Sequence, residues 1–230
     1  IAVLMGEPVF RCVIREVGKG ENGMSIHDLA VRWASVLARE LGSDQKQENR
    51  MAFGLELLLG EIVKWIVLLG LAGILGLLRE VVIICAAAGI LRLASGGEHC
   101  NEYYRCLIGG TIWFLLLGWG VSWLNTLLTG ENLIIIAGTV SVLSAFLLLL
   151  YAPGDTANKP INDENERRKF KRLSLLVALF YLGIMLGTAQ FTATHFVTLT
   201  IAAGMLAQVF TVTPLGYGFL HWVDRVLTFD

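Results

Sequence analysis

The chain has 230 residues, of which 55% are hydrophobic and 16% charged, with a formal net charge of −1. Soluble domains carry about 25% charged residues, and a chain of this length has too little interior to hide so much apolar surface, which excludes an ordinary cytosolic enzyme and a disordered protein. The near-zero charge exerts no pull on a polyanion and excludes a nucleic-acid binder, and a mean hydropathy of +0.66 makes lipid the solvent for most of the chain.

Residues 1–23 lack the basic start, apolar core and small-residue cleavage site of a secretory signal. Lys19-Gly20-Glu21 just before Met24 back-translates to a purine-rich tract resembling a bacterial ribosome-binding site. The expectation is that Met24 is the natural start and that residues 1–23 are a non-native or disordered extension. Residues 24–50 read as an amphipathic interfacial helix and a linker. Ser25 and Asp28 resemble a capping box, and Ile26, Leu29, Trp33, Val36 and Leu37 recur at helical spacing. Gly42 supplies the stop, and Ser43 to Arg50 form a polar linker. One apolar face with Trp33, opposed by Asp28, Arg32 and Arg39, suits a helix lying on a membrane surface.

Residues 51–217 carry six predicted spans, at about 52–78, 80–95, 107–128, 132–151, 173–190 and 194–213. A bilayer core needs about 20 apolar residues per helix. The second stretch has only Val81 to Leu91 uninterrupted before Arg92, which predicts a tilted, re-entrant or protein-lined segment. Residues 218–230, with Phe219, Trp222 and Val226, read as an amphipathic tail. The fold class is an all-α integral membrane protein with about six transmembrane helices and an N-terminal surface helix. With the N-terminus cytoplasmic, every Lys and Arg except Lys64 and Arg79 falls inside. That assigns both termini, the 92–106 segment and the 152–172 loop to the cytoplasm.

Of the four cysteines, Cys85 lies in an apolar run and reads as a small buried hydrophobe. Cys100 and Cys106 share a polar junction with His99, between Arg92 and span three. Three chemistries compete there. A zinc site could draw on His99, Cys100, Cys106 and Glu98 or Glu102, but the spacing matches no familiar zinc pattern. A polar turn with incidental thiols is the second. The third is a Cys–His nucleophilic pair, in which the imidazole takes the thiol proton and stabilises the thiolate. Seven residues of straight helix rise about 10.5 Å, too far for a hydrogen bond, so the third reading requires a bend between His99 and Cys106. Gly96 and Gly97 permit the turn, and a helix starting near Glu102 puts Cys106 at its N-terminal end, where the dipole favours thiolate.

These residues resemble a known family. His99 with Cys106 seven later, Arg92 seven before the histidine and Gly97 two before it look like the core of accessory gene regulator B (AgrB), a membrane peptidase of bacterial quorum sensing. Tyr151-Ala152-Pro153 followed by Lys159-Pro160-Ile161 is similar to a loop of that family, and Gly54-Leu55-Glu56 stands where the family carries Gln or Glu. The resemblance covers about residues 25–213 and departs at Ala157-Asn158-Lys159, where some relatives have a run of lysines. It implies a homodimeric, multi-pass protein of the bacterial cell membrane, needing no cofactor or metal, with its active site on the cytoplasmic side. The implied activity is that of a cysteine endopeptidase on an AgrD-like propeptide. Cys106 is the implied nucleophile and His99 the base; Arg92, Gly97, Lys159 and Pro160 bind substrate or shape the site.

Glu56 falls at the cytoplasmic end of span one and is the candidate third member, orienting His99 or pairing with Arg92. Glu61 and Lys64, one turn apart, pair with each other. The basic cluster from Arg167 to Arg172 reads as an anchor to lipid headgroups. His195 opens span six on the opposite membrane face and His221 reads as structural. A six-span transporter or scaffold is the alternative; it would more often show internal repeats and mid-membrane charge, whereas the unusual residues here gather at one face.

Overall fold

The computed structural model describes residues 26–97, 103–154 and 163–226, with the backbone alone at Tyr103, Tyr104, Cys106 and Asp224. Among these residues there are eight α-helices: α1 (Ile26–Leu41), α2 (Gln45–Ile74), α3 (Leu78–Ser95), α4 (Tyr103–Leu127), α5 (Gly130–Tyr151), α6 (Glu164–Thr188), α7 (His195–Thr211) and α8 (Pro214–Val226). The chain divides into two compact units, residues 1–66 and 67–230.

In the first unit, α1 stops where expected. Ser43 N–H bonds the Ala38 carbonyl at 2.9 Å and Gly42 N–H that of Arg39 at 3.3 Å, a Schellman end. Ala30, Ala34 and Ala38 form a buried line, while Trp33, Val36 and Leu37 stay exposed as a lipid-facing side would. The expected polar linker shrinks to Ser43 and Asp44. The Asp44 carboxylate accepts from Gln47 N–H at 2.7 Å and caps α2, so the polar residues from Gln45 onward are the first turns of that helix. Lys64 and Glu61 pair at 2.6 Å, as their spacing predicts.

In the second unit, α3 and α7 form the central pair. α4 packs against both on one side, and α5 and α6 cover the other. The helices approach closely where side chains are small. A Cβ on Gly204 would stand 2.6 Å from the Ile84 carbonyl oxygen and 2.8 Å from Ala87 Cβ, and one on Gly118 would stand 2.8 Å from Val81. Cys85 is buried beside Leu77 and Val81, as a small apolar residue should be. Tyr181 donates to the Ala87 carbonyl at 2.8 Å and ties α6 to α3.

Five helices (α2, α4, α5, α6 and α7) are long and apolar enough to cross a membrane. The sixth expected span, α3, is a continuous helix of 18 residues, about 27 Å at 1.5 Å per residue. Its charges lie at its ends. Glu80, 6% exposed, pairs with Arg79 at 3.0 Å, and the Arg79 guanidinium covers the Phe196 ring at 3.9 Å. Protein neighbours, rather than a long apolar run, make this helix possible. The tail helix starts at Pro214, earlier than its apolar pattern suggests, because the Thr213 hydroxyl accepts from Gly216 N–H at 3.2 Å with proline in the first turn. Its Phe219 and Trp222 join Trp113 and Phe210 in an aromatic cluster that fastens α8 to α4 and α7.

Candidate functional site

The end of α3 is held by three donors from three parts of the chain. The Ser95 carbonyl accepts from Gly154 N–H at 2.8 Å. The Gly96 carbonyl accepts from the Gln208 side-chain amide at 2.7 Å. The Gly97 carbonyl accepts from Arg92 Nη2 at 3.4 Å. A helix leaves its last carbonyls without intrahelical partners; here those beyond the helix end become the fixing points of an elbow. Gly96 and Gly154 form a parallel bridge, which brings the Ala152-Pro153-Gly154 corner after α5 against the elbow.

Both elbow residues need glycine. Gly96 has φ +66°, and a Cβ there would stand 2.6 Å from the Gly154 oxygen. Gly97 has φ +131°, and its Cβ would stand 2.9 Å from Thr211 Oγ1. Gly97→Ala is therefore expected to cost about 1–3 kcal/mol from backbone strain alone, measured as a lower Tm in detergent. An unchanged Tm would show that the elbow relaxes freely.

Helix α3 ends at Ser95, with Gly96 and Gly97 outside it, and α4 is described from Tyr103 onward. Cys106 is the fourth residue of α4, near the end at which the helix dipole favours an anion. His99, Cys100, Lys159 and Pro160 lie outside the described residues. Arg92, half-buried in the last turn of α3, reaches forward to the Gly97 carbonyl. His195 starts α7 beside Gly130. Gly130 follows the far end of α4, roughly 30 Å of helix from Cys106.

Glu56 has a partner that the sequence did not suggest. In the first unit its carboxylate accepts from His27 Nδ1 at 3.0 Å, joining α1 to α2, with both side chains partly buried. Glu56→Gln keeps a hydrogen-bonding atom for His27. Because exposed ion pairs contribute only about 0–1 kcal/mol, that variant is expected to stay folded and to keep any activity to within a few-fold. A loss of about 100-fold would instead place the charge of Glu56 in the chemistry.

Two further sets of contacts leave no mark in the sequence. Gln208 and Ser95 carry the elbow, and nothing in an apolar pattern marks a lone glutamine as a staple. Lys171 donates to the Leu149 carbonyl at 2.7 Å, so one residue of the basic cluster satisfies the end of α5. Its neighbour Arg168 pairs with Glu164 at 3.2 Å.

The helices and the tethered elbow first define a class: a multi-pass α-helical membrane protein with a constrained glycine joint leading to a cysteine at a helix N-terminus. Within that class the chain belongs to the accessory gene regulator B family, whose sequence profile matches residues 30–212. A protein named as AgrB-like in Clostridium perfringens (strain SM101) is 26% identical over 206 residues, covering 86% of this chain and 96% of its own. One from Listeria innocua is 30% identical over 197 residues, covering 84% and 90%. One from Clostridium acetobutylicum is 25% identical over 191 residues, covering 81% and 87%. No solved structure matches the chain.

Proposed function

We propose that this chain is a membrane cysteine endopeptidase that cuts an AgrD-like propeptide and supports its cyclisation. The observation that carries the reading is the elbow at Gly96 and Gly97, where α3 has ended at Ser95 and the chain is tied to Gly154 and Gln208. It supports a change of chain direction just ahead of His99, and Cys106 follows as the fourth residue of α4. Family membership supports the same assignment.

The His99 imidazole takes the Cys106 proton, and the thiolate attacks the carbonyl carbon at the C-terminal boundary of the future signal. The peptide C–N bond breaks, His99 returns the proton to the leaving amine, and the acidic C-terminal fragment departs. His99, neutral again, takes the proton of an internal propeptide thiol, the resulting thiolate attacks the thioester, the Cys106 C–S bond breaks, the Cys106 sulfur takes the proton back from His99 and a thiolactone ring closes; an internal serine would give a lactone. One thioester replaces another, so thiolactone closure needs no ATP. The enzyme's tasks are to hold the internal thiol near the thioester and to keep water away.

Arg92 and Gly97 shape the approach to His99. Lys159 and Pro160 follow the corner tied to Gly96 and are assigned to substrate contact. Glu56, bonded to His27, is assigned to anchoring the surface helix rather than to orienting His99. The distribution of Lys and Arg supports cytoplasmic termini and a cytoplasmic site, and the basic start of α6 suits anionic lipid headgroups. The working form is taken to be a homodimer.

The test is incubation of the purified chain in liposomes with a propeptide that has an amphipathic start, an internal cysteine and an acidic end. Cleavage and ring formation are expected. Cleavage that persists in Cys106→Ala would end the nucleophile assignment.

A further inference from the structure

We infer that Gln208 is a positioning residue of the Cys–His site, clamping the Ser95–Gly97 elbow from α7. The inference rests on the cysteine-peptidase reading and deepens it. Gln208 is 2% exposed in an otherwise apolar part of α7. Its Nε2 donates to Ser95 Oγ at 2.9 Å and to the Gly96 carbonyl at 2.7 Å. A carbonyl only accepts, so the amide nitrogen and not its oxygen faces Gly96; the nitrogen carries two hydrogens and makes both bonds at once. An amide buried in apolar surroundings is costly unless its donors are used, and this one uses them on the joint that leads to His99.

The clamp is itself braced. Thr211 donates to the Gln208 carbonyl at 2.8 Å, and the same hydroxyl is the atom that a Cβ on Gly97 would strike. The α7 segment from Gln208 to Thr211 therefore fixes both glycines of the elbow, Gly96 by a hydrogen bond and Gly97 by contact. Arg92 and Gly154 hold the neighbouring carbonyls, but only the Gln208 bonds come from the helix that pairs with α3 along its length. Losing them frees the elbow two residues before His99, whose pairing with Cys106 the cysteine-peptidase reading requires.

Gln208→Glu keeps the shape and removes the N–H donors, setting carboxylate oxygens against the Gly96 carbonyl. Gln208→Asn keeps the amide one methylene short. Two readouts separate positioning from mere stability. The first is kcat against KM for propeptide cleavage in liposomes. The second is the pH dependence of Cys106 alkylation by iodoacetamide, followed by peptide mass spectrometry. In Gln208→Glu, kcat is expected to fall by about 100-fold with KM changed only a few-fold. The alkylation midpoint should move up toward about 8.5, that of an unpaired thiol. Gln208→Asn should move both in the same direction by less. A folded variant with the wild-type kcat and midpoint overturns the inference, and so does loss of the fold in both variants, which would make Gln208 a purely structural residue. Cys106→Ala in the same assay separates the two claims. Activity surviving there sinks the peptidase reading, whereas an inactive Cys106→Ala beside unaffected Gln208 variants sinks the Gln208 role alone.

Discussion

Cys106→Ala is expected to abolish propeptide cleavage, and His99→Ala to cost nearly as much, each lowering kcat by a factor on the order of 10⁴ or more. The two groups act as a unit. A thiol without its base is mostly protonated near neutral pH, and a base without its thiol has nothing to activate. The double variant should therefore be no worse than the worse single one, the non-additivity seen when residues share one step. Cys106→Ser should not rescue, because the N-terminal dipole of α4 assists a thiolate but leaves a serine hydroxyl far from ionised. Rate assays on purified single and double variants in liposomes measure this. Additive losses would mean that the two residues serve separate steps.

Gly204→Leu should be severely damaging, because it forces apart the central α3–α7 pair. The Cβ of any side chain there would already stand 2.6 Å from the Ile84 carbonyl oxygen and 2.8 Å from Ala87 Cβ. Both contacts are with α3, and neither belongs to a flexible side chain that could turn away. Gly204→Ala is expected to cost about 1–3 kcal/mol by overpacking, and leucine more. Because α3 ends in the elbow and α7 carries Gln208, any separation of this pair should also pull the clamp apart, so activity should fall with stability. Gly138→Ala is the control: nothing lies within 4 Å of a Cβ there, and its Tm should be unchanged. Thermal unfolding in detergent checks both. A Gly204→Leu chain with the wild-type Tm would contradict the packing described for α3 and α7.

The helical plan was legible because it is written in local signals. The stop at Gly42, the long apolar runs, Cys85 within one of them and the Glu61–Lys64 pair all depend on residues within one or two turns of each other. Where local composition misled, a single capping residue decided the matter. Asp44 starts α2 inside what reads as a polar linker, and Thr213 with Pro214 starts α8 ahead of its apolar face. The continuity of α3 was hidden because Arg79, Glu80 and Arg92 shorten its apolar run, while its burial depends on helices distant in sequence. The site divides the same way. A turn just before His99 was legible in the two glycines at 96 and 97. The groups that hold the turn were not, since Gln208 and Gly154 reach it from across the fold. His27 as the partner of Glu56 was equally hidden, 29 positions away on another helix.

The most direct test of the central claim is to trap the acyl-enzyme. The chain in liposomes is mixed with propeptide, quenched in acid within the first turnover, and digested for mass spectrometry. The account predicts an adduct on Cys106 whose mass equals the propeptide without its acidic C-terminal fragment, released by hydroxylamine and lost in Cys106→Ala. Cleaved propeptide with no adduct on Cys106, or an adduct on Cys100 instead, would contradict it.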